Sequence, residues 1–172
     1  MKALLLGLAM LLAGCVDKPD NIEPVKPFDS ARYLGKWYEI ARLDHSFERG
    51  LSQVTAEYSM RDDGGIKVVN RGYNDEKKEW KQSEGKAFFV GAKDEAYLKV
   101  SFFGPFYGAY IVFDLPADYS TSLVSGPDKS YLWLLSRTPQ VDAATQKRLV
   151  DKAQALGYDT SKLIYVKQAV SQ

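Results

Sequence analysis

The constraint that does most to limit the fold is a cadence. From Trp37 to Arg137 the chain is a succession of short runs rich in Val, Ile, Tyr, Phe, Trp and Thr, broken by turn clusters about every 8 to 14 residues. Helical periodicity is absent there, so the pattern predicts an antiparallel sandwich or barrel with strands near 37–44, 53–61, 65–73, 80–90, 96–103, 108–115, 120–126 and 130–137. Asp62-Asp63-Gly64-Gly65 and Asn74-Asp75 are hairpin signals, while Gly104-Pro105, Pro116 and Gly126-Pro127-Asp128 cannot continue a central strand. Alternation identifies the buried faces. In QVTAEYSMR, Val54, Ala56, Tyr58 and Met60 share one side, and in YLKVSFF, Leu98, Val100 and Phe102 do. Eight strands with one apolar face can close on themselves, which removes exposed edges and leaves an interior able to hold one small ligand.

One helix interrupts this β pattern. Beyond Pro139, Asp142 is placed to cap a segment running to Leu156, with Gly157 placed to end it. Thr145, Leu149, Ala153 and Leu156 fall on one side, so the helix should dock on the barrel wall. A short final strand, Leu163 to Gln168, follows. The expected fold is therefore all-β: an eight-stranded up-and-down antiparallel barrel with one C-terminal helix and a short last strand.

The N-terminus has a different chemistry. Lys2 precedes an apolar run, Ala3 to Ala13, that is too short for a bilayer, and Ala13-Gly14 stands before Cys15, the only cysteine. Residues 1–14 read as a signal peptide. Leu12-Ala13-Gly14-Cys15 resembles a bacterial lipobox, which implies cleavage before Cys15, a diacylglyceryl thioether on its sulfur and an acyl group on its new amine. In sorting of the enteric type, Asp directly after that cysteine marks inner-membrane retention. Here Val16 stands there and Asp17 one position later, which favours the outer membrane, lipid-anchored and facing the periplasm. Residues 15–27, with DKPDNIEPVKP, read as a flexible tether, and 28–172 as one domain. Lys and Arg number 23 against 22 Asp and Glu. With Lys2 removed the charge is about zero, so nothing attracts nucleic acid.

Three stretches carry a resemblance to a known family. Gly35-x-Trp37-Tyr38 opens the first strand, Ala117-Asp118-Tyr119 forms a late turn, and Leu135-Ser136-Arg137-Thr138-Pro139 ends the eighth strand. In this order, with a helix after them, they resemble the lipocalins. WYEIARLDH, VSFFGPFYG and YLWLLSRTP are similar to their bacterial outer-membrane lipoprotein branch. Ala117 stands where the family has Thr, and no second cysteine is present to form a disulfide. The resemblance implies a calyx whose closed end is plugged by Trp37 with Arg137 across its ring, so Gly35, Trp37, Tyr38, Asp118, Tyr119 and Arg137 are structural residues.

Family parity also implies the lining. Val54, Ala56, Tyr58, Ile66, Val68, Asn70, Ala87, Phe89, Leu98, Val100, Phe102, Tyr110, Val112, Leu123, Ser125, Tyr131, Trp133 and Leu135 are expected to face inward. Such a set suits a fatty acid or lysophospholipid with its polar head near the mouth, stored or transported without a cofactor. A long acyl chain gains on the order of 10 kcal/mol before ordering costs. Phe103, Phe106 and Tyr107 form an apolar loop that is a portal lip at a membrane, a homodimer face, or a patch packed under its neighbour. Glu39 shares the inward parity of Trp37 and either orients a head group or pairs with Arg or Tyr. His45, the only histidine, reads as a solvated loop residue with no second His or Cys to complete a metal site. No GxSxG, HExxH or P-loop occurs, so no enzyme is expected. The alternatives are a lipid-modifying or scavenging enzyme, or a carrier of another apolar ligand such as a tetrapyrrole.

Overall fold

The computed structural model describes residues 16–169. The signal segment and Cys15 lie outside the described residues. Eight strands run antiparallel in chain order: β1 (Gly35–Arg42), β2 (Leu51–Met60), β3 (Ile66–Asn74), β4 (Glu79–Phe89), β5 (Tyr97–Phe103), β6 (Phe106–Asp114), β7 (Thr121–Ser125) and β8 (Leu132–Ser136). β1 pairs with both β2 and β8, which closes the barrel. The expected spans hold to within a few residues, because the turn chemistry that ends each strand is local. β1, β2 and β6 each begin two residues early, and in β6 Phe106 pairs with Phe103 across Gly104-Pro105.

Two apolar cores flank the barrel wall. α2 (Ala143–Ala155) begins where expected: Asp142 Oδ1 accepts from the Thr145 amide at 2.9 Å, and Leu149 and Ala153 are fully buried against the wall. These join Ala41, Ile111, Leu123, Leu132 and Leu134 in a core between barrel and helix, while Trp37, Tyr58, Val68, Leu98, Val124 and Leu135 form a second core inside the barrel. The last strand is shorter than the sequence suggests. Only Ile164–Tyr165, β9, pairs with Arg42 and Ala41, on the edge of β1 that β2 leaves free beyond Tyr38.

Two local elements escaped the sequence reading. α1 (Ser30–Tyr33) is a single turn capped by Asp29, whose Oδ1 accepts from the amides of Ala31 and Arg32. A 3-10 turn spans Thr160–Lys162. Neither is long enough to show a period.

The segment before α1 is docked, which corrects the expectation of a flexible tether. Ile22 is fully buried with the helix-side core, and Asn21 donates to the Leu156 carbonyl at 3.1 Å. The Val25 amide donates to Val112 O at 2.8 Å, the Ala96 amide to Val25 O at 2.9 Å and the Phe28 amide to Asp94 O at 2.8 Å. Tyr97 Oη donates to the carbonyl of Val16. A polar, proline-rich composition signals the lack of helix or strand, but one apolar side chain and a row of paired backbone groups are enough to hold an extended segment in place.

Candidate ligand cavity

The interior is plugged at one end. Trp37 is fully buried, and the Arg137 guanidinium carbon lies over its ring, 3.9 Å from the centroid. Arg137 Nη1 donates to Leu34 O at 2.9 Å and Lys36 O at 3.0 Å, and Nη2 to Arg32 O at 2.7 Å. The fork thus ties α1 to the start of β1. Gly35, with φ +90°, makes the turn that brings those carbonyls to the guanidinium. Asp118 Oδ1 accepts from the Ser120 amide at 3.0 Å, and Tyr119 Oη accepts from the Asp29 amide at 2.9 Å. The Ala117 side chain offers no hydrogen bond, yet its carbonyl accepts from Arg32 Nη2 at 2.7 Å, so the turn remains tied to α1. Tyr38 faces outward beneath Lys36 Nζ.

Above the plug lies an inner cavity of about 100 Å³. Its walls include Val54, Ala56, Tyr58, Ile66, Val68, Asn70, Ala87, Leu98, Val100, Phe102, Tyr110, Trp133 and Leu135, each of which the family parity turns inward. It opens into a vestibule of about 450 Å³ that Tyr131, Phe102 and Trp133 share with Phe103, Phe106 and Tyr107. Phe103 and Phe106 are 81% and 68% exposed, whereas Tyr107 lies half-buried against the outer wall beside Phe88.

Four of the expected lining residues do not line the cavity. Phe89 and Val112 point inward but sit below it, in the packed closed end: Phe89 meets Phe28 edge-on at 6.3 Å, and Val112 is fully buried beside the docked N-terminal segment. Leu123 and Ser125 face outward. β7 pairs Leu123 with Leu134 and Val124 with Trp133, so Ser122 and Val124 take the inner positions, and Tyr158 Oη donates to Ser125 Oγ at 2.6 Å on the helix side. The reason is period two: TSLVS has no polar and apolar alternation, and a bulge on β6 between Val112 and Asp114 shifts the count.

The structure adds residues that the sequence reading did not place in the lining. Phe28 and Tyr33 enter from the segment around α1, and Phe47 and Glu48 from the loop between β1 and β2. The capping signal Asp29-Ser30 was the available clue to the first pair.

Glu39 and His45 are also settled by the packing. Glu39 is buried at the cavity wall and accepts from Arg42 Nη1 at 2.7 Å, while Arg42 Nη2 donates to the carbonyls of Glu48 and Leu51. Burial and the nearby Glu48 carboxylate push the Glu39 carboxyl well above the usual range, and Arg42 offsets this only in part. His45 is buried, contrary to the expectation of a solvated side chain. Its Nε2 lies 2.7 Å from Glu48 Oε2, its ring centre lies 3.7 Å from that of Phe47 with the planes tilted by 32°, and Glu48 Oε2 also accepts from Trp133 Nε1 at 3.0 Å. Burial opposes ionisation of Glu48, but His45, Trp133 and Arg42 together hold its carboxyl below the ordinary value. These contacts draw the loop over the barrel. Among the described residues no group of three or more His, Cys, Asp or Glu could hold a metal ion.

A closed eight-stranded antiparallel barrel with a plugged floor, an apolar cavity and a helix on its wall defines a calyx-type binding fold. The lipocalin-like domain family matches residues 28–168, and the chain belongs to that family. It is 58% identical over 170 residues to the outer membrane lipoprotein Blc of Vibrio cholerae serotype O1, covering 98% of this chain and 99% of the relative. It is 53% identical over 162 residues to the outer membrane lipoprotein Blc of Escherichia coli K12, covering 93% and 92%. Among solved structures, the cockroach allergen Per a 4 superposes with a TM-score of 0.69 at 19% identity, covering 90% of this chain and 96% of that one, a likeness of fold alone.

Proposed function

We propose that the protein is a lipoprotein of the outer membrane, anchored through Cys15 and facing the periplasm, that binds fatty acids or lysophospholipids and stores or transports them. The observation that carries this reading is the cavity: an almost wholly apolar inner space opens into a wider vestibule that brings the polar residues Glu48, Asn70, Lys81 and Ser83 to its lining. An acyl chain would occupy the inner part, and a polar head the outer. The names of the two bacterial relatives support the compartment, and Leu12-Ala13-Gly14-Cys15 supports the anchor. Three acyl chains on one residue make release negligible, where a single chain holds only marginally. The reading assigns the protein no reaction. The exposed Phe103 and Phe106 beside the mouth support a second element, a homodimer formed through this face.

The full chain, expressed in a Gram-negative host and purified, should release fatty acids or lysophospholipids on organic extraction and mass spectrometry. Recovery of a chromophore alone, or of no lipid from protein challenged with fatty acid, would overturn the proposal. Cys15→Ser should move the protein from the membrane pellet to the soluble fraction, whereas continued sedimentation with membranes would refute the anchor.

A further inference from the structure

The floor of the cavity carries a chain of hydroxyl groups that an ordinary acyl tail does not use. Tyr58 Oη lies 2.8 Å from Tyr110 Oη, which lies 2.8 Å from Tyr33 Oη, which lies 3.0 Å from Ser122 Oγ. The Trp37 ring lies directly beneath, 4.8 Å from that of Tyr33. Burial raises the Tyr33 hydroxyl to about 12 and those of Tyr58 and Tyr110 well above their usual value, so all remain protonated donors.

Counting hydrogens gives the row a direction. Four hydroxyls supply four hydrogens, and three contacts consume three of them. One hydrogen is left over, on an end hydroxyl when all three contacts run the same way and on an inner one when two of them converge. Ser122 is fully buried and does not border the cavity, so a spare donor there would have no acceptor. Tyr58 does border it. When the contacts all run one way, the arrangement that leaves no buried orphan is Ser122 to Tyr33 to Tyr110 to Tyr58, each donating to the next, with Tyr58 donating into the cavity; converging contacts would put the spare hydrogen on Tyr110 or Tyr33, which border the cavity as well.

We propose that Tyr58, backed by Tyr110, Tyr33 and Ser122, is a second polar subsite at the cavity floor that accepts an uncharged oxygen at the buried end of the ligand. The class of ligand is an acyl chain oxygenated near its methyl end, as a hydroxyl or keto group. A carboxylate does not fit. The guanidinium of Arg137 lies beyond the Trp37 ring and is committed to backbone carbonyls, so among the described residues no free cation meets an anion at the floor. The inference rests on the reading of the barrel as an acyl-chain binder and sharpens it from one polar end to two.

The test compares hexadecanoic acid with 16-hydroxyhexadecanoic acid by quenching of tryptophan fluorescence, in the delipidated protein and in Tyr58→Phe. Phe keeps the ring and removes only the donor. The expected result is that Tyr58→Phe weakens the hydroxy acid by about tenfold and leaves the plain acid within about twofold. Tyr110→Phe detaches Tyr58 from the row but leaves its hydroxyl on the cavity, so it should keep part of the preference. Three results overturn the subsite: no selective loss in Tyr58→Phe, equal weakening of both acids, or a loss confined to Tyr110→Phe. Binding of neither acid by the unaltered protein would instead overturn the acyl-chain reading itself.

Discussion

Replacing Trp37 by Ala should lower stability by about 4 kcal/mol. The side chain is fully buried, its Nε1 donates to Tyr33 O at 2.9 Å, and its face carries the Arg137 guanidinium. Deletion opens a void at the floor, removes a cation–π contact of about 1 kcal/mol to a half-buried guanidinium and leaves a charged group over an empty space. For a domain of this size the melting temperature should fall by roughly 10 °C or more. Arg137→Lys keeps the charge but loses the planar fork that binds three carbonyls, and it should be less damaging than Trp37→Ala. A double-mutant cycle between the two positions should give a clear coupling. Additive effects, or a melting temperature for Trp37→Ala within two or three degrees of the parent, would show that the plug does not hold the closed end.

The second large effect is expected at Arg42. Its side chain is among the largest that are fully buried, pairs with Glu39 at 2.7 Å and satisfies the carbonyls of Glu48 and Leu51. Arg42→Met strands a buried carboxyl and should cost about 3–5 kcal/mol. The loss should depend on pH in a defined direction. Burial already raises Glu39 above its ordinary value, and without the cation it rises further; Glu48 loses the same attraction. A carboxyl raised in the folded state contributes stability that is full below the unfolded value of about 4.3 and is lost as pH rises towards the folded value. The gap in urea midpoint between parent and Arg42→Met should therefore be small near pH 4.5 and wide at pH 8. A gap that is constant, or widest in acid, would contradict this account. Pairing Arg42→Met with Glu39→Leu should recover most of the loss, because an apolar pair of similar shape leaves no charge to neutralise.

These two sites differ in how far they can be read from the chain. The plug is legible because Trp37 and Arg137 sit in recognisable local motifs at opposite ends of the cadence. The Glu39 and Arg42 pair is half legible: the parity of Glu39 with Trp37 shows that it is buried, but three candidate partners remain open until the bulge between Glu39 and Ala41 turns Arg42 towards it. His45 is misread because a lone polar residue in a turn has no neighbour in sequence that announces burial. Its cover comes from Phe47, Tyr131 and Trp133, two of which lie on the far side of the barrel sequence.

The same boundary runs through the cavity. Where strands alternate cleanly, as β2 and β5 do, the inward residues follow from period two. Where a strand is buried on both faces, as β7 is, its alternation vanishes and only pairing with β8 decides that Val124 faces in and Leu123 out. By itself, the chain determined the number and order of strands, the long capped helix after them and the signature around Cys15, because each depends on residues close together or on a period, while the plug followed from the resemblance carried by the motifs around Trp37 and Arg137. Tertiary structure alone decided which groups meet across the barrel. It docked residues 16–27 through Ile22 and backbone bonds, drew His45 under Phe47, and aligned three tyrosines and a serine from four different elements at the floor. Those contacts join positions as far apart as Asn21 and Leu156, 135 residues, and no local pattern encodes them.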